Sequence, residues 1–183
     1  IDYEFIIIDD GSTDSTSKIL DQYSKLNPCI RLIKHKNIGL TKSLIVGCNE
    51  AKGKYIARQD ADDFSYPTRL KEEVSMLNNN EKIILVGTWY TVTYQDSSSV
   101  LISYSGSDSA IRRDIFYKNP FCHSSVMFDK KTYDSLSGYN PNYKVSQDLD
   151  LWFKMLSVGK AGIVKKNLVK RSIHENCISK SKL

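Results

Sequence analysis

The chain has 183 residues, 40% of them hydrophobic, with 9 Gly and 4 Pro, enough apolar material for one domain with a buried core and too much for a disordered chain. Lys and Arg number 26 against 21 Asp and Glu, and the basic residues are scattered apart from a loose group at 165–171. This mild balance argues against nucleic acid as a partner and leaves a basic patch equally suited to an anionic lipid headgroup or a diphosphate. The longest apolar runs, residues 5–8 and 83–86, are far shorter than the roughly 20 residues of a membrane span. Residues 1–4 lack the basic start and apolar core of a secretory signal. The expectation is a cytoplasmic protein whose contact with a membrane, if it makes one, is peripheral and on the inner face. Cys29, Cys48, Cys122 and Cys177 are far apart and form no Cys-x-x-Cys pair, so free thiols and no zinc site are expected.

In chain order, the apolar run 5–8 ends in Asp9-Asp10-Gly11 and reads as a strand buried on both faces. Ile19, Leu20, Tyr23 and Leu26 share one face of a helix over 15–26, which Asn27-Pro28 ends. A second strand covers 30–33. Leu40, Leu44, Ile45, Cys48 and Ala51 mark a second helix closed by Gly53, and 55–57 begins a third strand. This alternation with short connections predicts an α/β fold with a mostly parallel sheet flanked by helices. Pro67 fits the first turn of a helix carrying Leu70, Val74 and Leu77, ended by Asn78 to Asn80. Residues 83–94 read as strand, 95–109 as a Ser-rich loop or weak hairpin, 124–128 as strand, 148–156 as helix and 163–169 as strand, with a polar tail from Lys180.

Two acidic clusters, Asp9-Asp10 and Asp60-Ala61-Asp62-Asp63, stand just past the carboxyl ends of predicted strands, where open α/β sheets bind ligands. Carboxylates crowded on one edge repel one another and raise each other's pKa unless a cation compensates. Asp60 and Asp62 flank one residue and can face one point, and their hard oxygens suit Mg2+ or Mn2+. The bland reading of 9–14 is a strand exit followed by a helix cap. A calcium loop of the EF-hand type fails, because its sixth and twelfth positions are Ser65 and Lys71 from Asp60, or Asp14 and Leu20 from Asp9. An aspartyl phosphatase fails too, since Ile8 stands where its nucleophile is required.

Residues 6–14 (Ile-Ile-Ile-Asp-Asp-Gly-Ser-Thr-Asp), Asn37-Ile38-Gly39-Leu40, and 53–63 with Asp60-Ala61-Asp62-Asp63 resemble the successive signatures of family 2 glycosyltransferases of the GT-A fold. Pro67 and Arg69-Leu70, Asn119-Pro120-Phe121-Cys122-His123, Gly138-Tyr139, the run Gln147-Asp148-Leu149-Asp150-Leu151-Trp152, and Arg171 with His174 continue the likeness over nearly the whole chain. The resemblance implies a Rossmann-like, three-layer domain spanning residues 1–183. It also implies an inverting, metal-dependent transferase that moves a sugar from a nucleotide diphosphate donor, a UDP-sugar, to a hydroxyl of a saccharide or lipid-linked saccharide, with bacterial surface polysaccharide as the setting. Asp10 resembles the carboxylate that binds the nucleotide base, with Asp9 beside it and Asn37 in the donor site. Asp60 and Asp62 resemble the metal and donor pair, with Asp62 the direct ligand to Mn2+ or Mg2+ and His174 a weaker candidate. Asp148 resembles the catalytic base. The family's usual Glu-Asp pair is Gln147-Asp148 here, so the Asp is kept and its acidic neighbour is lost.

Asp148 also has a plain structural reading, as an acidic residue in the first turn of a helix capped by Ser146. His174 can equally be a surface histidine, and Arg58 can pair with the acidic cluster instead of the donor. Trp89 and Trp152 read as core or acceptor-platform aromatics, His123 is a weaker candidate than His174 for a contact to metal or diphosphate, and His35 is unassigned. Two alternative functions stand beside the transferase. A sugar nucleotidylyltransferase needs a glycine-rich, Arg-containing loop near its start, and none is visible. A non-catalytic nucleotide-binding domain would bind donor without releasing sugar. The family places a strand and a helix ahead of the strand that ends at Asp9, so the chain is expected to be incomplete at its N-terminus, with backbone groups of a central sheet position left to another partner.

Overall fold

The structure, a computed structural model, describes residues 2–174. Its elements are β1 (Phe5–Asp9), α1 (Thr16–Leu26), β2 (Ile30–Lys34), α2 (Leu40–Glu50), β3 (Tyr55–Ala57), β4 (Phe64–Ser65), α3 (Arg69–Asn79), β5 (Ile83–Thr93), β6 (Ser99–Ile102), α4 (Asp108–Asp114), β7 (Val126–Asp129), α5 (Lys130–Ser135), α6 (Gln147–Val158) and β8 (Lys160–Ser172). The described residues group into two compact units, one of 2–56 with 130–154 and one of 57–129 with 155–174.

In the first unit β1 and β2 pair in parallel, with Phe5 opposite Ile30 and Asp9 opposite Lys34, and α1 and α2 pack on them. A right-handed crossover through α1 is the ordinary way to bring two such strands side by side. Among the described residues β1 has a strand on one edge only. The stripe expected to bury α1 lies largely in the open, with Ile19, Tyr23 and Leu26 all exposed. The chain leaving α2 is held by Glu4, whose Oε1 accepts from the backbone N–H groups of Lys52 at 2.6 Å and Gly53 at 3.2 Å. Cys48, Tyr133, Tyr139, Leu151 and Trp152 are buried in this unit, so Trp152 belongs to the core.

The second unit holds the larger sheet, in which β7, β5, β8 and β4 follow one another with β6 also on β5. β5 runs parallel to β8 and antiparallel to β6 and β7, and β4 is antiparallel to β8. The sheet is therefore mixed, where strand–helix alternation predicts a mostly parallel one. The departure has three sources that alternation does not reveal. A tight turn (Ser97 N to Tyr94 O, 3.0 Å) folds β6 back on β5, β7 lies antiparallel to β5, and β8, paired with β5 along its length, takes β4 antiparallel on its other edge. Leu85, Val86, Val126, Phe128 and Val169 are fully buried, with α3 packed on β5 and β8.

Two boundaries shift for local reasons. Pro67 precedes the helix: Arg69 N donates to Tyr66 O at 3.0 Å, so Pro67 takes the second position of a turn whose φ its ring already fixes. Strand β7 begins at Val126 because residues 123–125 form a 3-10 turn, with Ser125 N on Cys122 O at 2.9 Å. Cys29, Cys48 and Cys122 are free thiols, while Cys177 lies outside the described residues. No helix among the described residues is long and apolar enough to cross a membrane.

Candidate functional site

In the first unit the two carboxylates that end β1 have different surroundings. Asp9 is buried and takes the Ser12 N–H on Oδ1 at 2.9 Å. The Ser12 hydroxyl, the Ser12 amide and the Ser17 hydroxyl hold its carboxyl below the usual range, so Asp9 stays ionised while folding the loop onto itself. Asp10 reaches across to the start of α2. Its Oδ1 accepts from Ile38 N at 2.8 Å and its Oδ2 from Gly39 N at 3.0 Å, with His35 Nδ1 at 3.2 Å. Each carboxylate oxygen has a second lone pair, so Asp10 can brace the loop and still accept from a ligand. Gly11 sits at φ +79°, and a Cβ there would lie 2.7 Å from Asn37 N. This close approach brings Asn37 to an open hollow of about 370 Å³ shared with Asp10, Ser12, Thr13 and Asp14. Asp10 and Asn37 are thus brought together, whereas Asp9 points into the protein.

Asp148 stands half-buried in the first turn of α6. The helix starts from Ser146, at φ +57°, whose carbonyl accepts from Asp150 N at 3.1 Å. Thr41 Oγ1 donates to Tyr143 O at 2.6 Å, tying the approach to α6 to helix α2.

In the second unit, Asp60, Asp62 and Asp63 converge, each offering an oxygen within 4.8 Å of the others. The Arg58 guanidinium pairs with Asp60, the cluster partner that one reading of Arg58 expects. Ser124 Oγ donates to Asp60 Oδ2 at 3.1 Å and accepts from Asp60 N at 2.9 Å. Asp63 Oδ1 accepts from Ser172 N at 3.0 Å. Burial raises the Asp63 carboxyl above its ordinary range, the charges of Asp60 and Asp62 add to the rise, and hydrogen bonds to Ser124 and Ser172 oppose it. Asp62 is the outward member, and His174 Nε2 lies 2.9 Å from its Oδ2. Convergent hard oxygens beside an imidazole fit a divalent ion such as Mg2+ or Mn2+: Asp62 with Asp60 would hold it, and His174 is placed to join them. His123 is unsuited, since burial and the Arg58 charge push its pKa well down and keep it neutral inside the protein. Trp89 donates its Nε1–H to Tyr104 O at 3.0 Å, a structural role.

The sequence did not single out Ser124, Gln59 or Ser172 as supports of this loop. Ser124 directly follows the motif ending in His123, but a hydroxyl that meets an aspartate 64 positions away has no periodic signature.

A family model described as glycosyl transferase family 2 matches residues 1–135. The chain is 34% identical over 165 residues to the putative glycosyltransferase EpsE of Bacillus subtilis, covering 87% of this chain and 58% of that protein. It is 28% identical to the chondroitin synthase of Escherichia coli, over all of this chain and 26% of that one. The crystal structure of S. aureus TarS 1–349 matches 92% of the chain at a TM-score of 0.75 and 16% identity, using 51% of its own length; this likeness shows a GT-A type fold. The chain spans little more than half the length of EpsE and TarS, and about a quarter of the synthase.

Proposed function

The chain belongs to glycosyl transferase family 2, and from that premise we propose that it moves a sugar, with inversion, from a nucleotide diphosphate sugar to an acceptor hydroxyl in a metal-dependent reaction. A UDP-sugar as donor, a saccharide or lipid-linked saccharide as acceptor, and bacterial surface polysaccharide as the product class are part of the proposal. The names of the chondroitin synthase and of the Erwinia amylovora protein AmsE, an amylovoran biosynthesis glycosyltransferase, support that setting. We place the reaction on the cytoplasmic side, with the membrane touched only peripherally.

The observation that carries the proposal is the convergence of Asp60, Asp62 and Asp63 beside His174. Asp62 and Asp60 would hold Mn2+ or Mg2+, while Arg58 and Ser124 fix the Asp60 carboxylate. An ion held there would supply charge neutralisation for a departing diphosphate. Asp10 and Asn37, on the hollow beside Gly11, hold the nucleotide base, and Asp9 keeps their loop in shape. Asp148 takes the proton of the acceptor hydroxyl as that oxygen attacks the anomeric carbon.

The test follows nucleoside diphosphate release from a panel of sugar nucleotides, with acceptor and Mn2+ present. Release that requires acceptor supports the proposal. Donor binding without release favours a non-catalytic domain, and sugar nucleotide formation from a sugar phosphate plus a nucleoside triphosphate favours a nucleotidylyltransferase.

A further inference from the structure

Arg69 is among the most completely enclosed side chains of the second unit, 2% exposed, yet it touches none of the three clustered carboxylates. Its Nη2 donates to the backbone carbonyls of Arg58 at 2.8 Å and Val126 at 3.0 Å. Its Nη1 donates to Gln59 Oε1 at 2.8 Å, and its Nε to Glu73 Oε1 at 3.2 Å. Gln59 passes the connection on: its Nε2 donates to Asp60 O at 3.1 Å and to Asp63 O at 2.9 Å. These are the two carbonyls at the ends of the acidic turn, which Asp63 N closes on Asp60 O at 3.3 Å. Two arginines therefore divide the work. Arg58 compensates charge on Asp60, while Arg69 faces the buried Glu73 and its fork is used for geometry.

We propose that Arg69, braced by Glu73 and acting through the Gln59 amide, is a positioning residue that fixes the backbone of the 60–63 turn so that its carboxylates converge on one divalent cation. The inference rests on the metal-site reading above and adds to it the device that shapes the site. A planar guanidinium presents five N–H donors in a rigid fork, which an ammonium cannot reproduce. Arg69→Lys thus keeps the charge opposite Glu73 and loses the simultaneous grip on two carbonyls and an amide. Gln59→Met keeps side-chain length at a half-buried site and loses both donors to the turn together with the acceptor of Arg69 Nη1.

The test uses the full chain and two measurements. Amide hydrogen exchange over 60–63 in metal-free protein reports on the turn itself. Mn2+ titration followed by the electron paramagnetic resonance signal of the free ion reports on the site. Supporting partners of metal ligands are typically worth on the order of 10–100-fold in affinity. Gln59→Met, in protein that still unfolds cooperatively, is expected to speed exchange of the Asp63 amide and to weaken Mn2+ binding by at least about tenfold. Arg69→Lys is expected to do the same with some loss of melting temperature. Wild-type exchange and wild-type Mn2+ affinity in a folded Gln59→Met protein would overturn the positioning role. Faster exchange in the variant, with no Mn2+ bound by the wild type, would keep Arg69 and Gln59 as supports of the turn and overturn the metal reading together with the purpose assigned to them.

Discussion

Asp62 is the carboxylate of the acidic turn that faces outward, at 45% side-chain exposure, with His174 against it. Its neighbours are engaged by Arg58, Ser124 and the Ser172 amide. Removing Asp62 takes one charge from a self-repelling group and breaks none of those supports. Asp62→Ala is therefore expected to abolish transfer while the melting temperature stays at or slightly above that of the wild type; a clear fall in thermal unfolding would assign Asp62 to the fold instead. Asp148→Asn preserves shape but cannot accept a proton at neutral pH. Donor affinity should be unchanged in equilibrium binding, and kcat should fall by about a hundredfold or more. A loss below about tenfold would leave Asp148 with the helix start alone.

At the scale of the element, the turn after β1 depends on Gly11. Its φ of +79° is costly for a side chain, and the added Cβ would collide with the Asn37 backbone. Gly11→Ala should push 35–39 away from the hollow, so that nucleotide affinity and melting temperature fall together in parallel titration and unfolding experiments. Helix α3 carries a pH dependence. Burial outweighs the Arg69 charge and pushes the Glu73 carboxyl up to about 7 from an ordinary 4.5. The folded chain then holds a proton that the unfolded chain releases, so this contribution to stability is complete below about 4.5 and fades as pH rises through about 7. Glu73→Gln should flatten that part of the curve of urea-unfolding free energy against pH between 5 and 8. Apolar runs and 3.6-residue stripes made most elements legible, from β1 through α6, and the acidic turns at strand ends were legible as well. What they do not encode is pairing: that β6 and β7 share one edge of β5, or that Arg69 grips Val126, 57 positions away, depends on non-local geometry. Asp9 and Asp10 are adjacent and chemically alike, and only the positions of Ser12 and of the α2 start separate the inward carboxylate from the one on the hollow.

For the whole molecule, family membership and the TarS-like fold fix the frame, and the candidate groups are Asp10, Asn37 and Asp148 in one unit and Asp60, Asp62 and His174 in the other. The chain's span of little more than half of EpsE makes the reaction of these residues a question for direct assay. The central claim is metal-dependent sugar transfer. The most direct measurement is mass spectrometry of acceptor saccharides after incubation with a panel of sugar nucleotides, run with Mn2+, with excess chelator, and with metal restored. A mass increase of one sugar residue that disappears with chelator and returns with Mn2+ is the predicted result; undiminished transfer in excess chelator would contradict it.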